Sequence, residues 1–224
     1  MTTATLRTPR QTRGQQLTAL RVVALALMWI ALWGAWIPGE VVSLNQNALD
    51  LAEWSTRLEV VRFGGLRLLP DFLRLAVALG IVTLAVSFSS IRPLLLRWSL
   101  RAVAALPGLI MLPPYAGVAS LVWWVDPSQY LARFGAALVL WLGIAACLII
   151  DGLPEGFQDG LLIGLSVGAL ALASWAFLML RGAFADHYPG PVGLGWGYIG
   201  FCWALLLTVA LSALRWQLGR SAAA

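Results

Sequence analysis

Six long apolar blocks fill most of this 224-residue chain, and they constrain its fold more than any other feature. A helix that crosses the hydrocarbon core of a bilayer needs roughly 20 mainly apolar residues. Only 11% of the residues are charged, whereas a soluble domain carries about 25%. We therefore predict an all-α, polytopic integral membrane protein with six transmembrane helices, at residues 22–38, 73–90, 102–125, 134–150, 161–180 and 195–214.

The distribution of arginine predicts how these helices are threaded. All 15 basic residues are arginine, and arginine favours the cytoplasmic side of a membrane. With a cytoplasmic N-terminus, nine arginines fall in inner segments and six in outer segments. The expected organisation is a basic N-terminal segment (1–21), one membrane domain (22–214) that contains an extracytoplasmic segment (39–72), and a short tail (215–224). We expect an uncleaved first helix and a place in the cell membrane, namely a bacterial inner membrane.

The third block is interrupted by Pro107, Pro113 and Pro114. Each proline removes a backbone donor and opposes a straight helix. One interpretation is a single kinked helix over 102–125, which we favour. The alternative is a re-entrant third block made of two half-helices, which leaves five true transmembrane helices.

The extracytoplasmic segment is the one connection long enough to fold, and residues 47–62 within it predict an amphipathic interfacial helix. Asn47 is a suitable N-cap. An apolar stripe recurs at steps of three and four residues, and it consists of Leu51, Trp54, Leu58 and Val61. Glu53 and Arg57 have the spacing of a helical ion pair. Such a helix usually lies on the membrane surface, and the alternatives are a lid over a cavity or a docking surface.

Glycines at four-residue spacing predict close helix packing, because small residues let two backbones approach. They are Gly160, Gly164 and Gly168 around the fifth block, and Gly193 and Gly197 at the entrance to the sixth. We favour packing within the monomer over a dimer interface.

Few residues of this chain are suited to catalysis or metal binding. The interiors of the predicted transmembrane helices contain no ionisable residue, although such residues usually mark function there. The chain has one histidine, and its cysteines, Cys147 and Cys202, lie in apolar blocks. Asp151, Glu155 and Asp159 are expected in a solvated inner connection. We therefore expect no catalytic residue, no metal and no cofactor.

Two weaker sites remain as hypotheses. Asp186 and His187 can join Asp126 in a polar site on the outer face. Several aromatic side chains deep in the predicted helices can line an internal cavity, namely Trp29, Tyr115, Trp141, Trp175 and Tyr198.

Three functions follow as hypotheses from these features. The first is a non-catalytic multi-pass subunit of a larger membrane assembly, whose partners are the lipid bilayer and other membrane subunits. The second is a small permease, or the substrate-binding membrane component of a transporter, for a neutral or aromatic solute. The third is an interfacial enzyme. Nucleic acid is not an expected partner, because the net charge of +5 is explained by membrane topology.

Overall fold

The computed structural model describes residues 9–38, 46–113, 130–186 and 192–223, and this part of the chain is helical without strands. A 3₁₀ turn at Phe88–Ser90 follows the fourth helix. The α-helices, numbered in chain order, are α1 (Pro9–Trp33), α2 (Ala48–Ser55), α3 (Glu59–Arg62), α4 (Leu69–Ser87), α5 (Leu94–Ala105), α6 (Pro107–Met111), α7 (Leu131–Ile150), α8 (Glu155–Ala185) and α9 (Trp196–Ala223).

Six helical segments are long and apolar enough to cross a membrane: α1, α4, the α5–α6 pair, α7, α8 and α9. The prediction of an all-α chain with six such segments is therefore confirmed at the level of length and composition. The helices extend beyond the apolar blocks from which they were predicted. In particular, α1 begins before residue 22 and α8 begins before residue 161, so charged residues at the block edges are helical.

Helix α4 is the centre of the bundle. Most of its residues are buried, whereas about a third or fewer are buried in each of the other five segments. It packs against α1, α2, α7 and α8. Small residues make this close packing possible, because a methyl group at Gly80 would already lie 3.1 Å from Phe201 and 3.2 Å from the Met28 sulfur.

The third of these segments is interrupted next to Pro107, and its boundaries differ from the prediction. It runs over Leu94–Met111 rather than from residue 102, and Pro107 separates α5 from α6. Arg101 contacts Asp151 just beyond the end of α7, and the carbonyl of Met111 accepts a bond from Arg133 near its start. From Arg101 to Met111 the described part of the segment therefore runs alongside α7. Residues 114–125 of the predicted block lie outside the described residues.

The surface helix predicted over 47–62 is not continuous. Asn47 caps α2 as expected, since its side chain accepts bonds from the backbone N–H groups of Leu49 and Asp50. The hydroxyls of Ser55 and Thr56 then bond to carbonyls three residues earlier, and such bonds compete with the helical pattern. A turn follows before α3. Within the predicted stripe Leu51, Leu58 and Val61 are buried, but Trp54 is 39% exposed.

Backbone contacts join the end of α1 to the start of α9. The N–H of Gly195 donates to the carbonyl of Trp36 at 2.8 Å, and the N–H of Gly197 donates to that of Ala35 at 2.9 Å. A Cβ atom at Gly197 would lie 2.6 Å from the Gly34 carbonyl oxygen. The sequence assigned Gly197 to close packing, and here the close approach is to backbone.

We expect Gly197→Ala to lower thermal stability, because the new methyl group meets backbone that two hydrogen bonds hold in place. Overpacking of this kind costs about 1–3 kcal/mol. Gly182→Ala is the matched control, since no heavy atom of the described chain lies within 4 Å of its Cβ position. There the higher helix propensity of alanine raises stability by about 0.5–1 kcal/mol. Thermal unfolding in detergent, followed by tryptophan fluorescence, measures the change in stability of both variants. Equal shifts of the unfolding midpoint contradict the close approach of Gly197 to the Gly34 carbonyl.

Candidate functional site

The helix directions define two ends of the bundle. We call the end where α1, α5 and α8 begin and α4, α7 and α9 finish the proximal end, and the opposite end the distal end. Charged side chains are concentrated at these two ends, where they form ion pairs between helices.

A buried ion pair joins α1 to α8 at the proximal end. Arg21 Nη1 lies 2.6 Å from Asp159 Oδ1, and the exposed fraction of each side chain is only 3%. The same nitrogen donates to Ser212 Oγ on α9 at 3.3 Å. Arg215, also on α9, approaches the other carboxylate oxygen, with its Nε 3.3 Å from Asp159 Oδ2. Asp159 is therefore a buried junction of three helices, and its expected place in a solvated connection is wrong.

A second ion pair at the proximal end joins α5 to the end of α7. The two terminal nitrogens of Arg101 hold both carboxylate oxygens of Asp151, at 2.8 Å and 2.7 Å. Its Nε donates to the carbonyl of Ala85 at 3.0 Å, and the Arg101 side chain is fully buried. Arg97 lies 3.4 Å from the same carboxylate. All three guanidinium nitrogens of Arg101 therefore donate hydrogen bonds.

The charged groups around Asp151 lower the pKa of its carboxyl group. This residue lies beyond α7, outside the segments long enough to span a membrane. Burial by itself raises the pKa of its carboxyl group. Hydrogen bonds from Arg101 and Ser89 and the charges of Arg101 and Arg97 outweigh that effect, so the pKa lies below its ordinary value.

The distal end carries a corresponding network centred on Glu53. Its Oε2 lies 2.6 Å from Arg133 Nη1 on α7 and 3.2 Å from Arg74 Nη2 on α4. Arg74 also pairs with Asp71 at 2.8 Å. The ion pair predicted between Glu53 and Arg57 does not form; the Arg57 guanidinium lies over the Trp54 ring instead.

A large cavity lies between the proximal ends of the helices. Its volume is about 1640 Å³, and its walls come from the start of α1, the 89–92 segment, the 151–159 segment and the end of α9. Asp151, Glu155 and Asp159 line it together with Arg92, Arg215 and Arg220. Sequence reasoning missed this site because it treated the proximal charges as separate loop residues.

Part of the predicted outer polar site can be placed. Asp186 follows α8 at the distal end, is exposed, and lines a smaller cavity of about 490 Å³ with Arg57 and Glu59. Asp126 and His187 lie outside the described residues, so their approach to Asp186 stays a prediction. Within the described ranges, no group of three histidine, cysteine, aspartate or glutamate residues is arranged to hold a metal ion.

The four described members of the predicted aromatic set do not form one cluster. Tyr198 stacks on Phe177 at 4.2 Å and joins a compact core with Trp36 and Phe201. The other described members contact different neighbours, and no ring contact joins them to one another. Trp29 contacts Trp33, and Trp141 lies beside Gly108. Trp175 contacts Phe72 and is 48% exposed. Tyr115 lies outside the described residues.

Two of the three predicted packing glycines of α8 face outward rather than into the bundle. Gly160 and Gly164 are exposed, and no heavy atom of the described chain lies within 4 Å of a Cβ built on either. Gly168 is closer to the bundle, with a Cβ position 3.8 Å from Leu79. Gly193 approaches Pro38 at 3.3 Å. The two outward glycines therefore have no packing role in the described monomer.

In comparisons with protein-family models, curated proteins and solved structures, the chain has no significant match.

The lowered pKa of Asp151 predicts an acid-sensitive contribution to stability. A carboxyl group with a depressed pKa stabilises the fold above its unfolded value, and this contribution is lost as the pH falls through the folded value. We expect the stability difference between the wild type and Asp151→Asn to be constant from neutral pH to about pH 5. It then shrinks as the pH falls below the ordinary value of 3.8.

The stability difference between the wild type and Asp151→Asn is measured from their unfolding midpoints in detergent at each pH of this range. Glu155→Gln is the control, because the Glu155 side chain is 83% exposed and its pair with Arg215 contributes less than about 1 kcal/mol. A gap between the wild type and Asp151→Asn that does not change with pH contradicts the assignment.

Proposed function

We propose that this protein is a non-catalytic multi-pass subunit of a larger membrane assembly, and that an outward face of α8 binds a helix of its partner. The observation that carries the proposal is the exposure of Gly160 and Gly164, four residues apart, with open space beyond both. The exposed residues of this face recur at steps of three and four, and we call them the α8 glycine face: Phe157, Gly160, Gly164, Val167 and Ala171.

The chemistry of this face suits association between helices. In lipid, apolar side chains gain little by leaving one apolar environment for another, so association depends on close packing and polar contacts. Two glycines one turn apart form a shallow groove, and the larger Phe157 and Val167 border it. A partner helix with its own small residues can approach the α8 backbone closely there.

The charged groups support a structural role for the rest of the molecule. Asp151, Asp159, Glu155, Glu53 and Asp71 each bond to an arginine within the chain. Except for Asp71–Arg74, which lies within α4, these ion pairs connect helices at the two ends of the bundle. These carboxylates therefore have a structural role, whereas Asp186 of the predicted outer polar site is not among them.

The proposed setting is a cell membrane of the bacterial inner type, with the proximal end on the cytoplasmic side. The support is the arginine distribution: the described proximal end carries Arg13, Arg21, Arg92, Arg97, Arg101, Arg215 and Arg220. Arginine near helix ends favours retention on the cytoplasmic side. The N- and C-terminal segments then share that side.

We expect the double variant Gly160→Leu/Gly164→Leu to lose its partner while the monomer remains folded. The leucines fill the groove, so a partner helix can no longer approach. The same change favours the isolated α8 helix by about 1 kcal/mol per site, because glycine is a poor helix former. Mild-detergent extraction from native membranes, followed by light scattering and mass spectrometry of co-purified proteins, measures the complex.

The matched control is Gly135→Leu/Gly219→Leu. These glycines also have no heavy atom of the described chain within 4 Å of their Cβ positions, but they lie on α7 and α9. We expect this control to keep the partner. A wild-type protein that extracts as a monodisperse monomer overturns the proposal, as does a complex that survives the leucine pair on α8.

A further inference from the structure

The proximal cavity has a surplus of positive charge. Its three lining carboxylates are already engaged: Asp151 by Arg101 and Arg97, Glu155 by Arg215, and Asp159 by Arg21 and Arg215. Arg92 and Arg220 also line it. The lining itself has three arginines, Arg92, Arg215 and Arg220, against these three carboxylates. A further three arginines pair with the carboxylates without lining the cavity, and counting them gives six arginines against three carboxylates, a net charge of +3.

Two of the lining arginines keep their donors available. Within the described residues, neither Arg92 nor Arg220 forms an ion pair with a carboxylate. The Arg220 guanidinium carbon lies 4.5 Å from the centre of the Trp216 ring. Stacking over a ring holds a guanidinium in place while its N–H groups, which lie in its own plane, stay directed outward.

The start of α8 adds a second element that attracts anions. Glu155 and Gly156, in its first turn, line the cavity. The preceding residue, Pro154, forms no side-chain cap. Its carbonyl accepts from the N–H groups of Phe157 and Gln158, which leaves the N–H groups of Glu155 and Gly156 without a capping side chain. Unsatisfied N–H groups and the helix dipole both favour an anion at such a position.

Apolar side chains form part of the remaining wall, beside polar ones such as Thr18, Ser89 and Gln158. Ala19, Val22 and Val23 of α1 and Leu218 of α9 line the same cavity as the arginines, and Val23 is 56% exposed. A site with guanidinium groups beside aliphatic side chains matches a ligand that has a phosphate group and an apolar part. Basic sites between membrane helices commonly take lipid headgroups in this way.

We propose that the proximal cavity binds a phosphate group, with Arg92 and Arg220 as its direct ligands. The mixed lining fits a phosphate carried by an amphiphile, such as an anionic phospholipid. The site is independent of the proposed assembly, because no residue of the α8 glycine face lines the cavity, although the start of α8 does.

The test compares Arg92→Gln/Arg220→Gln with the wild type in neutral detergent. Native mass spectrometry measures the binding of phosphatidic acid, with diacylglycerol of the same chains as the ligand that lacks phosphate. Calorimetry measures the binding of inorganic phosphate. We expect the wild type to bind phosphatidic acid but not diacylglycerol. The double variant raises the Kd at least about tenfold, since two charge-assisted bonds are lost.

The matched control is Arg62→Gln/Arg67→Gln at the distal end. It removes the same charge from exposed residues, and Arg62 also lies over an aromatic ring, that of Phe63. We expect this control to leave the Kd within about twofold, because charges a bundle length away are screened. Arg92→Lys/Arg220→Lys retains the charge and restores most of the affinity, since lysine also binds phosphate.

Each outcome decides the proposal. Binding of inorganic phosphate with the same arginine dependence supports the site and assigns it a soluble phosphate-bearing ligand; binding of phosphatidic acid alone assigns it a lipid. No binding of either by the wild type overturns the proposal, and so does equal binding by the glutamine variant. If the glutamine variant fails to fold, wild-type affinity that does not fall as salt is raised from about 0.05 M to 0.5 M overturns it.

Discussion

Buried arginine–carboxylate pairs at the proximal end are the interactions on which the arrangement of the helices depends. Arg21 and Asp159 are almost fully buried, and removing two charges from water costs several kcal/mol per ion unless geometry and hydrogen bonds compensate. Ser212 and Arg215 supply those further bonds. Once such a pair exists, loss of one member leaves an uncompensated buried charge, which costs about 3–5 kcal/mol.

These pairs fix helices that apolar packing alone does not align. Helix α1 packs mainly against α9 and α4, whereas its Arg21 reaches α8. Arg101 on α5 likewise bonds to Asp151 at the end of α7. At the distal end, Glu53 on α2 bonds to Arg133 on α7. Apolar contacts tolerate sliding along a helix axis, but a bonded guanidinium does not. The central α4 supplies the packing, and the ion pairs set the register around it.

The sequence predicted the helices well and their charged neighbours poorly. Long apolar blocks are a strong signal, so the six segments that are long enough to span a membrane and the helix break beside Pro107 could be predicted directly. Arg21 and Asp159 stand at the edges of two blocks that start at the same end of the bundle, which was the available signal for a pair. Yet they are 138 residues apart in the chain, and one sequence alone does not show which charges meet.

The sequence also did not predict which way each helix face points in the bundle. Spacing identified Gly160 and Gly164 correctly as a small-residue stripe, but spacing does not tell whether a stripe faces its own bundle or outward. Likewise, the apolar period of 47–62 identified Leu51, Leu58 and Val61 as one stripe but not that the stripe packs against the protein itself. The break at Ser55–Thr56 arises from hydroxyl bonds that the period does not contain.

A double-mutant cycle on Arg21 and Asp159 measures whether their ion pair holds α1 to α8. Arg21→Met, Asp159→Leu and the combined variant are unfolded in detergent, and the coupling energy is taken from the four stabilities. We expect a coupling of at least about 1.5 kcal/mol, with the combined variant more stable than either single one. Single effects that add to within about 0.5 kcal/mol contradict the account, because the pair then does not hold α1 to α8.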